Sequence, residues 1–359
     1  MRDGGENLFR TGSRLFCFFA MCAMIKTENM FRQKRFWLGL VVSLLLLVYV
    51  FYQADPGRIL QSLQQAQYIY LIPGLALYFI GVGVRAVRWH FLLRPIKPIP
   101  SGDLFRTVVI GYMANDILPA RMGEVVRAYL LGEQEQVSKA ATLVTIVVER
   151  IFDGLAMLTF VVIASFLLNF ADETVTTRIR LVAVLFIVAI LALAILAGMP
   201  RRAERIGDFF LRRLPSESLR ERGTRLMRSL LEGLGVLRSP ADSFIVYALS
   251  MLAWLFETGM YVVIAIGFNI VLPFPVFLLA CAFANLVTIA PSTPGYVGVF
   301  DAPIIYTLTL FNLDPNLATS YTLVLHATLI LPVTLLGFYY LWRAGLSLSQ
   351  MTRAPSESV

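Results

Sequence analysis

Apolar residues in this chain fall in long blocks, separated by short polar stretches rich in arginine. About 20 apolar residues cross the ~30 Å hydrocarbon layer as a helix, and a lipid-facing backbone must satisfy its own hydrogen bonds. Blocks of spanning length lie at about 36–52, 68–89, 140–170, 181–199, 244–266 and 317–342. The pattern therefore predicts six transmembrane helices. A short outer loop between the first two holds only Asp55 and Arg58 as charges. The run LFCFFAMCAMI at 15–25 is too short to span. It resembles a signal-peptide core, but residues 1–35 are better taken as a surface-lying or disordered cytoplasmic leader, or as an overlong start with Met24 or Met30 as the initiator.

Two further apolar segments are broken in the middle. Residues 104–131, LFRTVVIGYMANDILPARMGEVVRAYLL, are interrupted by Asn115, Asp116, Pro119, Arg121, Gly123 and Glu124. Residues 276–311 are interrupted by Asn285, Pro291, Ser292, Pro294, Gly295, Gly298 and Asp301, within NLVTIAPSTPGYVGVFD. Proline removes a donor and kinks a helix, and glycine lets the chain turn. Each half of the first segment, roughly 12 residues, reaches about half-way across a bilayer. Both segments are expected to be re-entrant hairpins; two kinked full spans, giving eight in all, is the alternative.

Charge sets the expected orientation. Arg32, Lys34 and Arg35 precede the first block, the second returns to a basic stretch with Arg85, Arg88, Arg94, Lys97 and Arg106, and residues 200–240 carry ten arginines. The positive-inside bias places all three stretches, and both termini, in the cytoplasm. The two triplets of segments then have opposite orientation, and interrupted segments at matching places in an inverted repeat mark a transporter's binding site. A half-helix starting inside the membrane offers free N–H groups and a positive dipole end, which favour an anion such as phosphate.

Composition agrees: 58% of residues are hydrophobic and 15% charged, against about half and a quarter in soluble domains. The net charge of +8 sits in loops beside apolar blocks, which argues against nucleic acid as a partner. Cys17, Cys22 and Cys281, with His90 and His326, show no disulfide or metal-ligand spacing. No cofactor is expected.

Within the third span, VVERIFDGL carries Glu149, Arg150 and Asp153. Each costs about 2.5–3.5 kcal/mol at a helix centre on insertion scales, so they must face the bundle interior or a wet cavity. Arg150 and Asp153 can pair locally. Glu149 needs another cation, for which Arg121 and Arg127 on the hairpin are candidates. The cluster is either a structural lock or a polar path for a headgroup, with the arginines meeting phosphate. Glu257 reads as a lone intramembrane acid, suited to proton coupling or to packing, and His326 as a satisfied core residue.

Three motifs carry a resemblance: NDILPARMGEVVRAYLL, VVERIFDGL and APSTPGYVGVFD, in that order. They are similar to the membrane domain of lysylphosphatidylglycerol synthases and of stand-alone flippase-like proteins, over about residues 36 to 343. In the multiple peptide resistance factors this domain translocates the aminoacylated lipid and a separate soluble domain performs the transfer. Only a short polar tail, 344–359, follows here, so the resemblance implies lipid translocation without the transferase. Relatives linked to hopanoids, glycolipids and polyprenol-linked sugars leave the lipid open. The second motif departs from the family at Tyr296, where glycine is common, and at Asp301, where glutamate is common.

The combined expectation is an all-α polytopic membrane bundle forming one flippase-like domain, 36–343, in the cytoplasmic membrane. Its partners would be membrane lipids with an anionic or lipid-linked headgroup, and a lipid-modifying enzyme. Asn115, Pro119, Arg121, Gly123, Glu124 and Arg127 would form one half of the path. Asn285, Pro291, Ser292, Pro294, Gly295, Gly298 and Asp301 would form the other, with Glu149, Arg150, Asp153 and Glu257 alongside. A membrane enzyme or accessory subunit acting on polyprenyl-phosphate-linked sugars is the rival reading.

Overall fold

The computed structural model describes residues 55–118, 121–168, 239–288 and 293–344, with positions 41, 177, 181 and 184. The leader, nearly all of the first and fourth spans, the loop 200–240, Pro119, Pro291, Ser292 and the tail beyond Ala344 lie outside the described residues.

All regular structure among the described residues is helical. The stretch expected as an outer loop begins with a helix, α1 (Pro56–Gln65). Asp55 caps it by accepting from the N–H groups of Gly57 and Arg58, and Pro56 occupies the first turn, where no donor is needed. Its Ile59 is buried. The loop expectation weighed charge alone and missed this Asp-Pro start.

Helix α2 (Leu71–Leu93) leads to the first broken segment, α3 (Ser101–Ile117) and α4 (Met122–Glu135), and then to α5 (Lys139–Leu167). After the undescribed stretch come α6 (Pro240–Gly267), α7 (Phe274–Val287), α8 (Asp301–Thr309) and α9 (Pro315–Arg343). Among the described residues, three regions are long and apolar enough to cross a membrane: Tyr68–Leu93, Ala241–Gly267 and Pro315–Arg343. Helix α5 has 29 residues but carries Glu149, Arg150 and Asp153 inside it. The protein is an all-helical, multi-pass membrane bundle. Arg85 and Arg88, expected in a cytoplasmic flank, instead lie within α2 and are buried.

The packing repeats. Helix α2 packs along α6; α3 packs on α9 and, correspondingly, α7 on α5; α3 pairs with α4 as α7 pairs with α8. Exchanging α2–α5 for α6–α9 leaves this pattern unchanged. Local geometry repeats too. Gln136, at φ 55°, lies two residues before Ser138, the cap of α5, and Asn312, at φ 60°, lies two before Asp314, the cap of α9. Arg150 stands eleven residues beyond Lys139 at the head of α5, and His326 eleven beyond Pro315 at the head of α9.

The first hairpin closes on a glycine contact. A Cβ at Gly123 would run into the carbonyl oxygen of Gly111 and the side chain of Asn115, so α4 reaches α3 only with no side chain there. Gly83 in α2 has nothing within 4 Å of such a Cβ. Gly123→Ala is therefore expected to destabilise the detergent-solubilised protein by about 1–3 kcal/mol or more, seen as a lower melting temperature. Gly83→Ala should leave the melting temperature unchanged or raise it slightly.

Candidate functional site

Five charged side chains from three helices form a cluster, four of them buried and Arg150 a third exposed. Glu149, 1% exposed, accepts two bonds from Arg127 at 3.0 and 2.9 Å and one from Arg150 at 2.7 Å. Arg88, fully buried, lies 3.3 Å from Glu149, donates to Asp153 and reaches Ser250 Oγ at 2.7 Å. Asp153 also accepts from Trp254 Nε1 at 2.8 Å and lies 3.5 Å from Arg150. Arg127 was one of two cations proposed for Glu149, and it is the one that pairs. Arg121 is not: it donates to the Thr288 carbonyl at 2.9 Å and lies 3.9 Å from Glu124.

Glu257 is not a lone acid. Arg85 donates to it at 2.7 Å, and the Arg85 guanidinium stacks 4.3 Å over the Trp254 ring. The sequence signalled only half of this: Arg85 and Arg88 interrupt an apolar block, where each must find a buried partner, but nothing local names Glu257 as that partner.

The two helix breaks meet. Arg121, which holds a left-handed φ of 54° at the first break, stacks 5.6 Å over Tyr296 of the second. Asn115 Oδ1 accepts from the Gly123 N–H at 2.8 Å, and Asp301 Oδ2 accepts from the Gly298 N–H at 2.8 Å. These two donors, one in the first turn of α4 and one in the turn before α8, are already satisfied by side chains of the same hairpins. The expected open cradle of backbone amides is thus filled at both glycines, and arginines supply the positive charge instead. Gly295 contributes its carbonyl, which lies 2.8 Å from His326 Nε2, and Asn285 donates to the Cys281 carbonyl at 2.9 Å. Pro294 opens the short 3-10 turn Pro294–Tyr296.

Between the breaks lies a cavity of about 150 Å³. Its charged lining comprises Arg85, Asp116, Arg121, Arg150 and Glu257, with His326, and Asn115 and Asn285 border it as well. Asp116 accepts from Thr334 Oγ1 at 2.7 Å. Of the cluster on α5, only Arg150 lines the cavity; Glu149, Asp153 and Arg127 stand behind it, and Glu124 reaches Arg150 at 3.7 Å. A second cavity, about 260 Å³ and mainly apolar, runs between α8 and α9 past Val297, Ile305, Leu323 and Leu331, and shares His326 and Ile330 with the first. Tyr78, Tyr112 and Trp254, which also line the polar cavity, were missed; single aromatics in apolar blocks carry no distinguishing signal.

Fold and site define a polytopic helical membrane protein with a charged cavity between two interrupted segments. The chain belongs to the family described as the lysylphosphatidylglycerol synthase TM region, matched over residues 36–337. It is similar to a UPF0104 membrane protein of Methanothermobacter thermautotrophicus, 25% identical over 79% of this chain and 88% of that protein. It is also similar to the glycosyltransferase AglD of Haloferax volcanii, 24% identical over 77% of this chain but only 49% of that longer protein. A UPF0104 membrane protein of Methanocaldococcus jannaschii, MJ1595, is 22% identical over 83% of this chain and 92% of its own length. No solved structure matches.

The Arg85–Glu257 pair gives a test of the buried charges. Removing one partner strands the other, at about 3–5 kcal/mol, whereas replacing both with apolar residues is near neutral. Arg85→Met alone is expected to lower stability by that order in a denaturant titration in micelles. Combining it with Glu257→Met should recover most of the loss.

Proposed function

We propose that this protein carries the headgroup of a membrane lipid, anionic or lipid-linked, across the cytoplasmic membrane through the cavity between the breaks. One observation carries the reading: a charged cavity walled by both halves of the bundle lies beside an apolar groove, with His326 and Ile330 lining both. A lipid needs both surfaces at once, a polar one for its head and an apolar one for its chains. Family membership in the membrane region of lysylphosphatidylglycerol synthases supports the same substrate class.

Arg121 and Arg150 are the residues to meet an anionic head. Both border the cavity, and their side chains are 28% and 33% exposed. Guanidinium groups suit phosphate because their donors form a rigid fork. Glu149, Asp153, Arg127 and Arg88 act as the lock that holds α2, α4 and α5 around the cavity. Asn115, Asn285 and Glu257 border the path itself, and Gly123, Glu124, Gly295, Gly298 and Asp301 shape the breaks. In this reading the repeated packing is an inverted repeat with re-entrant hairpins and both termini cytoplasmic. A similarity covering half of a glycosyltransferase favours, as a second reading, a membrane module serving an enzyme that modifies lipid-linked sugars.

Two measurements test this. In vesicles of defined lipids carrying the purified protein, headgroup exposure should be fast for at least one anionic or lipid-linked species. Arg150→Ala, Glu124→Ala and Arg121→Gln should each slow it about tenfold or more, equivalent to ~1.4 kcal/mol. Wild-type rates in all three would sink the assignment, and co-purification with a lipid-modifying enzyme without any exposure would favour the second reading. Cysteines placed at Gln136 and Asn312 should react with impermeant reagent from opposite sides of the membrane; labelling from one side would remove the inverted arrangement.

A further inference from the structure

His326 is held by two acceptors. Its Nδ1 lies 2.7 Å from Asp301 Oδ1, and its Nε2 lies 2.8 Å from the Gly295 carbonyl oxygen. The other Asp301 oxygen already accepts from the Gly298 N–H at 2.8 Å. A neutral imidazole has one N–H and one lone pair, whereas both nitrogens donate in the imidazolium. Beside an ionised Asp301, a neutral ring would leave a lone pair facing a carbonyl oxygen at hydrogen-bond distance. The arrangement closes only with one more proton, on the ring or on Asp301.

The same contacts hold a strained turn. Gly295, Tyr296 and Gly298 have φ of 68°, 55° and 80°. The left-handed region costs roughly 1–2 kcal/mol for a residue such as tyrosine, so the turn needs outside support. His326 grips it at Gly295, and Asp301 grips it at Gly298. Tyr296 of this turn lies under Arg121 of the first break, and His326 borders both the polar cavity and the apolar groove.

We propose that the His326–Asp301 pair binds a proton that locks the second break against α9, and that this proton is the coupling ion of the transport cycle. Release runs as follows. The proton leaves the pair for the water that reaches the polar cavity; the ring keeps Nδ1–H toward Asp301; the Nε2 lone pair then opposes the Gly295 carbonyl, and the 295–298 turn comes free. The other charged groups around the polar cavity each have a hydrogen-bond partner, which for Asp116 is a neutral hydroxyl. Arg85 of α2 holds Glu257 of α6, Asp116 of α3 holds Thr334, Arg150 of α5 holds Glu149, and Arg121 at the first break holds the Thr288 carbonyl. Tyr78, Tyr112 and Tyr296 complete the titratable lining. Asp301 is the charged group in contact with the ring.

The coupling half of this inference rests on the translocation reading, while the proton site does not. The chain has two histidines, so His90→Gln leaves one imidazole to observe. In the full-length protein with nitrogen-15-labelled histidine, across about pH 5–8, the ring is expected to show two protonated nitrogens, or infrared difference spectra to show a protonated carboxyl absent in Asp301→Asn. Signals from residues 295–298 should change with the same titration. A neutral ring beside an ionised Asp301 over the whole range would overturn the site.

For the coupling, vesicles of phosphatidylethanolamine and phosphatidylglycerol would carry a trace of fluorescent phosphatidylglycerol and a trace of fluorescent polyprenyl phosphate. An imposed pH gradient should change the wild-type exposure rate severalfold and leave His326→Gln indifferent. Wild-type exposure unaffected by the gradient would overturn coupling. If neither probe moves in the wild type, the coupling claim falls with the translocation reading, and the spectra alone decide the proton site.

Discussion

The bundle depends on one interaction, the pairing of Glu149 with three arginines inside the helix bundle. Arg127 arrives from the first hairpin, Arg88 from α2, and Arg150 from the neighbouring position of α5. A buried carboxylate without such partners would cost several kcal/mol, and so would each arginine alone. Together they hold α4 and α2 to α5 in a single geometry, and Asp153 extends the network to Trp254 of α6. Apolar packing alone does not impose this, since lipid tails compete for the same surfaces. The electrostatic lock is what specifies where the hairpin sits.

That position creates the cavity. With α4 pinned, the first break faces the second, Arg121 lies over Tyr296, and space remains between them. The cavity is charged because its walls are the inner ends of broken helices together with the cavity-facing side of α5. It meets an apolar groove because α8, with nine residues, is too short to shield α9 along its length. Polar cavity and apolar groove adjoin at His326, whose contacts to Asp301 and Gly295 hold the turn that separates them.

The two halves use similar means with different chemistry. Glu124 near the head of α4 meets Arg150 of α5, and Asp301 at the head of α8 meets His326 of α9. In each case an acid in the first turn of the second half-helix reaches a basic side chain at the same depth of the following long helix. Arginine keeps its charge throughout, whereas an imidazole carries one ring proton or two. One half therefore holds a fixed cation, and the other holds the pair proposed to bind a proton.

Much of this was legible in the residues alone. The long apolar blocks predicted α2, α6 and α9 to within a few residues, because lipid demands a continuous run of known length. Proline and glycine among polar residues located both breaks, and an unmatched Glu149 required a cation from the hairpin. Other features were not legible. Glu257 finds Arg85 across 172 positions of sequence, and no local pattern reports a partner so distant. Asp55 and Pro56 announced a helix that charge counting passed over. Glu149 and Arg150 are adjacent in the chain, yet one is sealed in the lock and the other borders the cavity. The sequence by itself determined that these charges had to be paired inside a membrane. Only the tertiary structure decided which of them meets the cavity, because a rotation of about 100° per residue turns neighbours on a helix toward different partners.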